Sequence, residues 1–226
     1  MHIGPLLGSG RTADVYALDG SWVLRRYRDG IDAAGELAVM SYLSASGFPV
    51  PRLGPPREGS LPTDLVLQRL TGPTLAESML AGATTPAEGA GLLARLLREL
   101  HAIPPRLSLD PGDRILHLDL HPENVILAPD GPRVIDWLTT AEGPPALDRA
   151  MSCLILAQVA LDPSFAAGAP VRDLLEALVR RLDGDGGVPD RALARATALR
   201  GRDPRLTAHE RTVLGEAAAL VATLAG

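Results

Sequence analysis

The side chains best suited to chemistry lie close together in residues 117–137, HLDLHPENVILAPDGPRVIDW. Three of them stand at alternate positions, so a strand would place them on one face: His117, Asp119 and His121. Histidine nitrogens and carboxylate oxygens are ligands that zinc prefers, so a zinc hydrolase is one interpretation. Against it, no other histidine stands at a plausible position for a fourth ligand.

A second interpretation starts from Asp119, which is followed by Asn124 and, after an apolar run, by Asp136. Transfer of the γ-phosphoryl group of ATP needs a group that accepts the proton of the substrate hydroxyl or orients this hydroxyl, and Asp119 suits that role. It also needs Mg²⁺, a hard cation that uses few protein oxygen ligands, and Asn124 and Asp136 can supply them. The segment APDG at 128–131 predicts a turn, and a hairpin there would bring Asn124 and Asp136 together.

The segments HLDLHPENVIL and VIDW resemble the motifs of the aminoglycoside phosphotransferase family, whose members are relatives of the eukaryotic protein kinases. The family pattern is His-x-Asp-x-His-x-x-Asn followed by Ile-Asp-Trp or a similar sequence. The resemblance implies that Asp119 is the catalytic aspartate and that Asn124 and Asp136 bind magnesium. It also implies ATP, or another nucleoside triphosphate, together with Mg²⁺ as cofactors. The two histidines of the motif are then expected to brace the loop, and Asp148 to have a structural role.

Residues 7–16, LGSGRTADVY, resemble the glycine-rich loop that covers the ATP phosphates in this family. The resemblance implies that Gly8, Ser9 and Gly10 contact the nucleotide. A plain hairpin turn is the alternative for so short a motif. Ala13 occupies the place of the third glycine, which keeps the loop small but makes it less permissive.

The next element of the family is a strand lysine that contacts the α and β phosphates, but all 22 basic residues of this chain are arginine. Alignment of WVLR on the family's strand places Arg25 at the lysine position, and alternation turns Arg26 to the other face. Glu36, in the following helix, matches the partner glutamate of the family, and arginine can hold a carboxylate through two hydrogen bonds. The alternative is an arginine on an exposed strand face.

The resemblance covers about residues 4–150 and includes the hinge that follows the last strand of the N-terminal lobe. The segment DLVLQRLTGPTL implies that the backbone near Gln68 and Leu70 contacts adenine. Family members commonly carry a long helical insertion before the catalytic loop, whereas only eleven residues separate Pro105 from His117 here. Part of the usual acceptor pocket is therefore missing, or is supplied by the C-terminal helices or by a second subunit.

Periodicity and turn residues predict a strand-rich part followed by a helical part. Asp19-Gly20 predicts a tight turn between two strands, and Thr85 and Glu88 have the spacing of a capping box at a helix start. Asp203 is expected to cap the last helix. Strands are predicted at 14–18, 21–27 and 64–70, and helices at 31–46, 146–161, 170–182, 189–200 and 204–224.

This order of elements and the resemblance together give the expected fold class, α+β with a bilobal protein-kinase-like fold. Residues 1–71 would form the nucleotide-binding lobe, a small antiparallel sheet with one helix. Residues 72–226 would form a mostly helical lobe that carries the catalytic loop and the acceptor site.

Composition limits which classes of partner and which cell compartment are expected. The net charge of −5 and the absence of a basic run make nucleic acid an unexpected partner. The most apolar run, residues 151–161, is too short to span a bilayer, and the N-terminus has no signal-peptide pattern. The single cysteine, Cys153, is expected to be a buried thiol, so a cytoplasmic protein without disulfides is expected. The oligomeric state is left open.

The charge of the C-terminal part bears on the acceptor. From Ala146 onward ten acidic residues balance ten arginines, whereas a polycationic aminoglycoside needs clustered carboxylates. The expected function is therefore an ATP- and Mg-dependent phosphotransferase acting on the hydroxyl of a small molecule that is not a strongly cationic aminoglycoside. The alternative is a pseudokinase-like protein that binds nucleotide without transfer, which Arg25 and the missing insertion motivate.

Overall fold

The computed structural model describes residues 3–164 and 168–226. The strands are β1 (Leu6–Ser9), β2 (Ala13–Ala17), β3 (Trp22–Tyr27), β4 (Asp64–Gln68), β5 (Arg114–Leu116), β6 (Val125–Ala128), β7 (Gly131–Val134) and β8 (Ala141–Gly143). The helices are α1 (Ala34–Ala45), α2 (Leu75–Leu80), α3 (Pro86–Leu100), α4 (Pro145–Ala160), α5 (Gly168–Leu182), α6 (Asp190–Gly201), α7 (Ala208–Thr212) and α8 (Leu214–Ala225).

The chain folds into two compact units. The sheet unit comprises the residues up to Gly72 together with Ile126–Leu138, and the helical unit comprises Pro73–Val125 and Thr139–Gly226. Residues 126–138 belong to the sheet unit because their backbone and side chains contact it directly. The N–H of Val134 donates to the carbonyl of Pro49 at 2.8 Å, and the ring of Trp137 meets that of Phe48 edge-on at 5.6 Å. The predicted division of the chain near residue 71 assigned this segment to the helical lobe, whereas it belongs to the sheet unit.

The sheet unit is built on a four-stranded antiparallel sheet in the order β1-β2-β3-β4. The predicted turn at Asp19 is present, and its carboxylate accepts hydrogen bonds from the N–H groups of Ser21 and Trp22, at 2.8 and 3.0 Å. Helix α1 presents to the interior the side chains at helical spacing: Glu36, Val39, Met40 and Leu43. A charged side chain thus lies on the buried face of this helix.

The helical unit begins with two helices that have capping boxes. The predicted box of α3 is confirmed, because the Thr85 hydroxyl accepts from the N–H of Glu88 and the Glu88 carboxylate accepts from the N–H of Thr85. Helix α4 is buried along most of its length, including Asp148 and Gln158. Its Cys153 is buried as predicted, and burial raises the pKa of this thiol to about 12.

The prediction of one helix over 204–224 capped by Asp203 is wrong. The segment forms two helices, α7 and α8, and α7 begins at the capping box of Thr207 and Glu210. The Asp203 carboxylate instead accepts from the N–H and the guanidinium of Arg205, at 2.9 and 2.8 Å. The Asp203 side chain therefore forms a local aspartate turn instead of a helix cap, and Thr207, four positions later, caps the helix.

In the described part of the chain, every helix is too short or too polar to cross a membrane.

Candidate active site

The loop that carries Asp119 leaves strand β5 through a strained backbone. Leu118 has a φ of 61°, in the left-handed region that costs a non-glycine residue roughly 1 kcal/mol or more. The carboxylate of Asp148 holds this conformation, because it accepts from the N–H of His117 at 3.0 Å and from that of Leu118 at 2.7 Å. The loop conformation is thus fixed from beneath by a residue of helix α4.

Asp148 is completely buried and lies 3.0 Å from Nε2 of His101. Burial by itself would raise the pKa of this carboxyl, but the hydrogen bond and charge of His101 outweigh it and lower the pKa below its ordinary value. Asp148 is therefore ionised beneath the loop. These contacts agree with the structural role expected of this residue.

The side chain of Asp119 is 30% exposed. The amide nitrogen of Asn124 donates to the Asp119 carbonyl at 2.8 Å and lies 3.4 Å from Oδ2. Burial favours a raised pKa for the Asp119 carboxyl, but His121, His117 and Arg200 together lower it. The structure thus brings the predicted catalytic aspartate next to one predicted magnesium ligand and keeps it ionised.

The two histidines of the motif make contacts within the loop. Nδ1 of the buried His117 accepts from the N–H of Asp119 at 3.2 Å, and its carbonyl accepts from the Thr139 hydroxyl at 2.9 Å. Nε2 of His121 lies 3.2 Å from the amide nitrogen of Asn124. Over the described residues, no three His, Cys, Asp or Glu side chains are grouped closely enough to hold a metal ion. The contacts of both histidines agree with the loop-bracing role expected of them.

In the sheet unit, Arg25 is only 7% exposed, so the alternative of an exposed arginine is wrong. Its guanidinium donates to Oε1 of Glu36 at 3.2 Å and to Oδ1 of Asp136 at 2.5 Å. The neighbouring Arg26 turns to the other face and pairs with Asp64 through two hydrogen bonds, at 2.7 and 2.8 Å. The structure therefore brings together the arginine, the glutamate and the second predicted magnesium ligand.

Glu36 is a buried acceptor for three donors. Besides Arg25, these are the hydroxyl of Tyr27 and, at 2.9 Å, the N–H of Trp137. Burial opposes the charge on Arg25, but the Glu36 and Asp136 carboxylates outweigh it and raise the pKa of the guanidinium. Asp136 lies two residues beyond the end of β7 and has a φ of 66°. Two residues with left-handed backbone, Leu118 and Asp136, therefore lie at or beside predicted site residues.

The predicted phosphate-covering residues form an exposed hairpin. Gly8 and Ser9 end strand β1, and the N–H of Gly10 donates to the carbonyl of Ala13 at 2.9 Å. The Ser9 hydroxyl donates to Asp14 at 2.6 Å, and the guanidinium of Arg28 donates to the carbonyl of Gly10. The local geometry is that of a tight hairpin, and nucleotide contact by these residues stays a prediction.

The predicted hinge follows β4. Gln68 is the last residue of this strand, and its side-chain oxygen accepts from Nε of Arg52 at 3.2 Å. Leu70 lies beyond the strand and is half-buried, so the strand ends two residues earlier than predicted. Adenine binding by this segment also stays a prediction.

The place of the family's acceptor insertion is occupied by an irregular loop between α3 and β5. The Glu142 carboxylate fixes it by accepting from three consecutive N–H groups at 2.6 to 3.2 Å, those of Arg106, Leu107 and Ser108. The loop leaves Leu107 and Leu109 exposed.

The sequence did not indicate that Arg200 lies beside Asp119, or that two further residues contact Arg200 there. Arg200, the last residue of a helix predicted over 189–200, lies with its guanidinium 3.9 Å from the Asp119 carboxylate. Gln158 and Glu210 hold it in place. The balanced charge count of the C-terminal part gave no sign of this contact, since helical spacing does not tell which arginine turns inward from a helix of low overall hydrophobicity.

Comparisons with known proteins bear on the fold and the family. The sequence profile of the phosphotransferase enzyme family matches residues 4–114 and 106–184. A search of curated protein sequences gives no match.

Solved structures resemble the chain along almost its whole length at low sequence identity. ADP-bound aminoglycoside phosphotransferase APH(2'')-Ib has 14% identity and a TM-score of 0.59, covering 100% of this chain and 94% of its own. A choline/ethanolamine kinase family protein from Mesorhizobium loti has 16% identity and a TM-score of 0.55, with 98% and 91% covered. Amicoumacin kinase in complex with AMP-PNP, Ca²⁺ and Ami has 13% identity and a TM-score of 0.57, with 97% and 87% covered. These similarities confirm the predicted α+β, protein-kinase-like fold.

Proposed function

The chain belongs to the phosphotransferase enzyme family, and we propose that it transfers the γ-phosphoryl group of ATP, or of another nucleoside triphosphate, to a hydroxyl group of a small molecule. Family membership supports a small-molecule phosphotransferase in general. The observation that carries the specific proposal is the loop of Asp119. Its carboxylate is partly exposed and ionised, while the backbone behind it is held in a strained conformation by the buried Asp148. Such strain persists where a functional geometry requires it.

Asp119 accepts the hydrogen bond of the acceptor hydroxyl and orients that oxygen toward the phosphoryl group. Burial favours a higher pKa for this carboxyl, but His121, His117 and Arg200 lower it, so Asp119 is a carboxylate that can accept this hydrogen bond. Most of the rate enhancement then comes from positioning and from stabilising phosphate charge, as in other phosphoryl-transfer enzymes.

Asn124 and Asp136 supply oxygen ligands for Mg²⁺. The hydrogen bonds of the Asn124 side chain all involve its amide nitrogen, which leaves the hard oxygen atom for the cation. Asp136 has a side chain that is 36% exposed and two carboxylate oxygens, of which Oδ1 accepts from Arg25. The donor chemistry thus fits Mg²⁺, which when bound neutralises charge on the nucleotide phosphates.

Arg25 contacts the nucleotide phosphates in place of the family's strand lysine. Its charge is permanent, and Glu36 fixes its orientation from the buried face of α1. The hairpin at Gly8, Ser9 and Gly10 covers the phosphates, and the backbone from Gln68 to Leu70 contacts the base.

A second candidate function, nucleotide binding without transfer, is favoured by one observation. The guanidinium of Arg25 donates directly to Asp136, so it competes with Mg²⁺ for a carboxylate that the cation needs. If this ion pair persists when nucleotide binds, Mg²⁺ adds little to the affinity for ATP, and no phosphoryl group is transferred.

Incubation with ATP labelled at the γ position, Mg²⁺ and a panel of neutral, anionic and cationic hydroxyl compounds tests the proposal. Label that moves to at least one compound with the wild-type protein but not with Asp119→Asn supports transfer. A thermal shift with ATP·Mg²⁺ but no labelled product and no ADP over the whole panel supports binding without transfer.

A further inference from the structure

Arg200 reaches the candidate catalytic aspartate from helix α6. Its guanidinium lies 3.9 Å from Oδ1 of Asp119, and its side chain is only 10% exposed. A buried guanidinium is costly unless carboxylates and hydrogen-bond acceptors surround it, so this placement is specific rather than incidental. Both residues belong to the helical unit.

Two further side chains fix the position of this guanidinium. Gln158 of α4, which is 3% exposed, accepts from Nε of Arg200 and donates to the carbonyl of Glu210 at 2.7 Å. The Glu210 carboxylate lies 3.6 Å from Arg200 and also accepts from the N–H of Thr207 in the capping box of α7. Helices α4, α6 and α7 therefore hold the arginine through contacts that are themselves anchored.

This arrangement comes from a part of the chain that lies outside the family profile. The match ends at residue 184, whereas Arg200 and Glu210 lie beyond it. The environment of the aspartate is thus set partly by the chain's own C-terminal helices.

We propose that Arg200 is a positioning and specificity-determining residue, which holds the Asp119 carboxylate in place and disfavours acceptors that carry an ammonium group beside the reacting hydroxyl. The proposal rests on the proposed function of Asp119. An ammonium group next to the hydroxyl would need to lie near the Asp119 carboxylate, and the guanidinium already occupies that place. Neutral and anionic hydroxyl compounds meet no such repulsion, so they form the favoured acceptor class.

The charge of the cluster gives the direction of the effect. The guanidinium lies within 4 Å of two carboxylates, those of Asp119 and Glu210, and its charge also lowers the pKa of the Asp203 carboxyl against the effect of burial. Removal of the arginine charge takes away a cation that both the Asp119 and the Glu210 carboxylates share. These carboxylates then attract a polyamine, because a bound cation compensates their negative charge.

Binding of kanamycin, a polycation with several hydroxyl groups, tests specificity without requiring turnover. Titration calorimetry compares the wild type with Arg200→Met and Arg200→Lys, and with Arg195→Met, which removes an exposed arginine from the same helix. We expect Arg200→Met to bind kanamycin about tenfold more tightly than Arg195→Met does, and Arg200→Lys to behave as the wild type. If Arg200→Met shows no cooperative thermal unfolding, and so is not folded, Arg200→Gln is used in its place.

ADP release from ATP·Mg²⁺ with water as acceptor tests positioning. Arg200→Met should lower kcat about tenfold with an unchanged KM for ATP, and Arg200→Lys should recover part of the loss. Equal kanamycin affinity in Arg200→Met and Arg195→Met, or an unchanged kcat, overturns the proposal. If the wild type binds no ATP·Mg²⁺ while the kanamycin contrast is present, the proposed function fails and the charge role of Arg200 stands.

Discussion

Arg25 donates a 2.5 Å hydrogen bond from its guanidinium to Oδ1 of Asp136. A residue proposed to contact phosphate is thereby joined to one proposed to bind magnesium. The same guanidinium reaches the buried Glu36, which also accepts from the N–H of Trp137 beside Asp136. The planar fork of arginine makes both contacts at once, and the geometry of Asp136 depends on them.

Arg25→Lys should therefore impair the protein, although lysine is the residue that the family pattern expects. An ammonium is a point charge and cannot reach Glu36 and Asp136 with separate nitrogens in fixed orientation. We expect an affinity for ATP·Mg²⁺ about tenfold weaker, measured by calorimetry, and a lower rate of ADP release. Arg26→Lys, on the other face of the same strand, is the matched control, and equal behaviour of the two variants would refute this coupling.

Glu36→Gln should destabilise the sheet unit. The substitution leaves the buried Arg25 with one carboxylate instead of two and weakens the hydrogen bonds from Tyr27 and Trp137. Loss of a charged acceptor in a buried network costs about 2 kcal/mol of the free energy of unfolding. Thermal unfolding should show a clear decrease in Tm relative to the exposed control Glu58→Gln. A Tm equal to that of the control would mean that the network contributes nothing to stability.

Asp148→Asn should destabilise the helical unit in a pH-dependent way. The pKa of Asp148 is lowered in the folded protein, so its stabilising effect is complete above the ordinary pKa of an aspartate, about 3.9. The effect is lost as the pH falls through the lowered value, because the carboxyl is then protonated in both states.

We therefore expect Asp148→Asn to have a free energy of unfolding about 2 kcal/mol lower than that of the wild type at pH 7. This difference in the free energy of unfolding should become smaller below about pH 4. Denaturant unfolding at several pH values measures this, with the exposed Asp173→Asn as control. A gap as wide at pH 3 as at pH 7 would contradict the ionised state of Asp148.

The elements that local sequence determines were predictable. The capping box of Thr85 and Glu88 and the turn at Asp19 depend on side chains within a few residues of the backbone groups that they bind. The pairing of Arg25 with Glu36 was predictable for another reason, since the resemblance to a family supplied the partner that spacing alone could not.

Contacts between distant segments were not predictable in the same way. The contact between Arg200 and Asp119 depends on how helices α4, α6 and α7 pack, and nothing local distinguishes Arg200 from its neighbours in the sequence. The cap at Asp203 failed because two competing local hydrogen-bond patterns, an aspartate turn and a threonine capping box, stand four residues apart.

The proposed phosphoryl transfer depends above all on Asp119, which orients the acceptor hydroxyl. The most direct measurement compares Asp119→Asn with Glu123→Gln, an exposed residue of the same loop, for both ATP·Mg²⁺ affinity and phosphoryl transfer. We predict that Asp119→Asn keeps nucleotide affinity within about threefold but lowers the transfer rate by about a hundredfold or more, while Glu123→Gln retains both. Transfer by Asp119→Asn at the wild-type rate would contradict the claim.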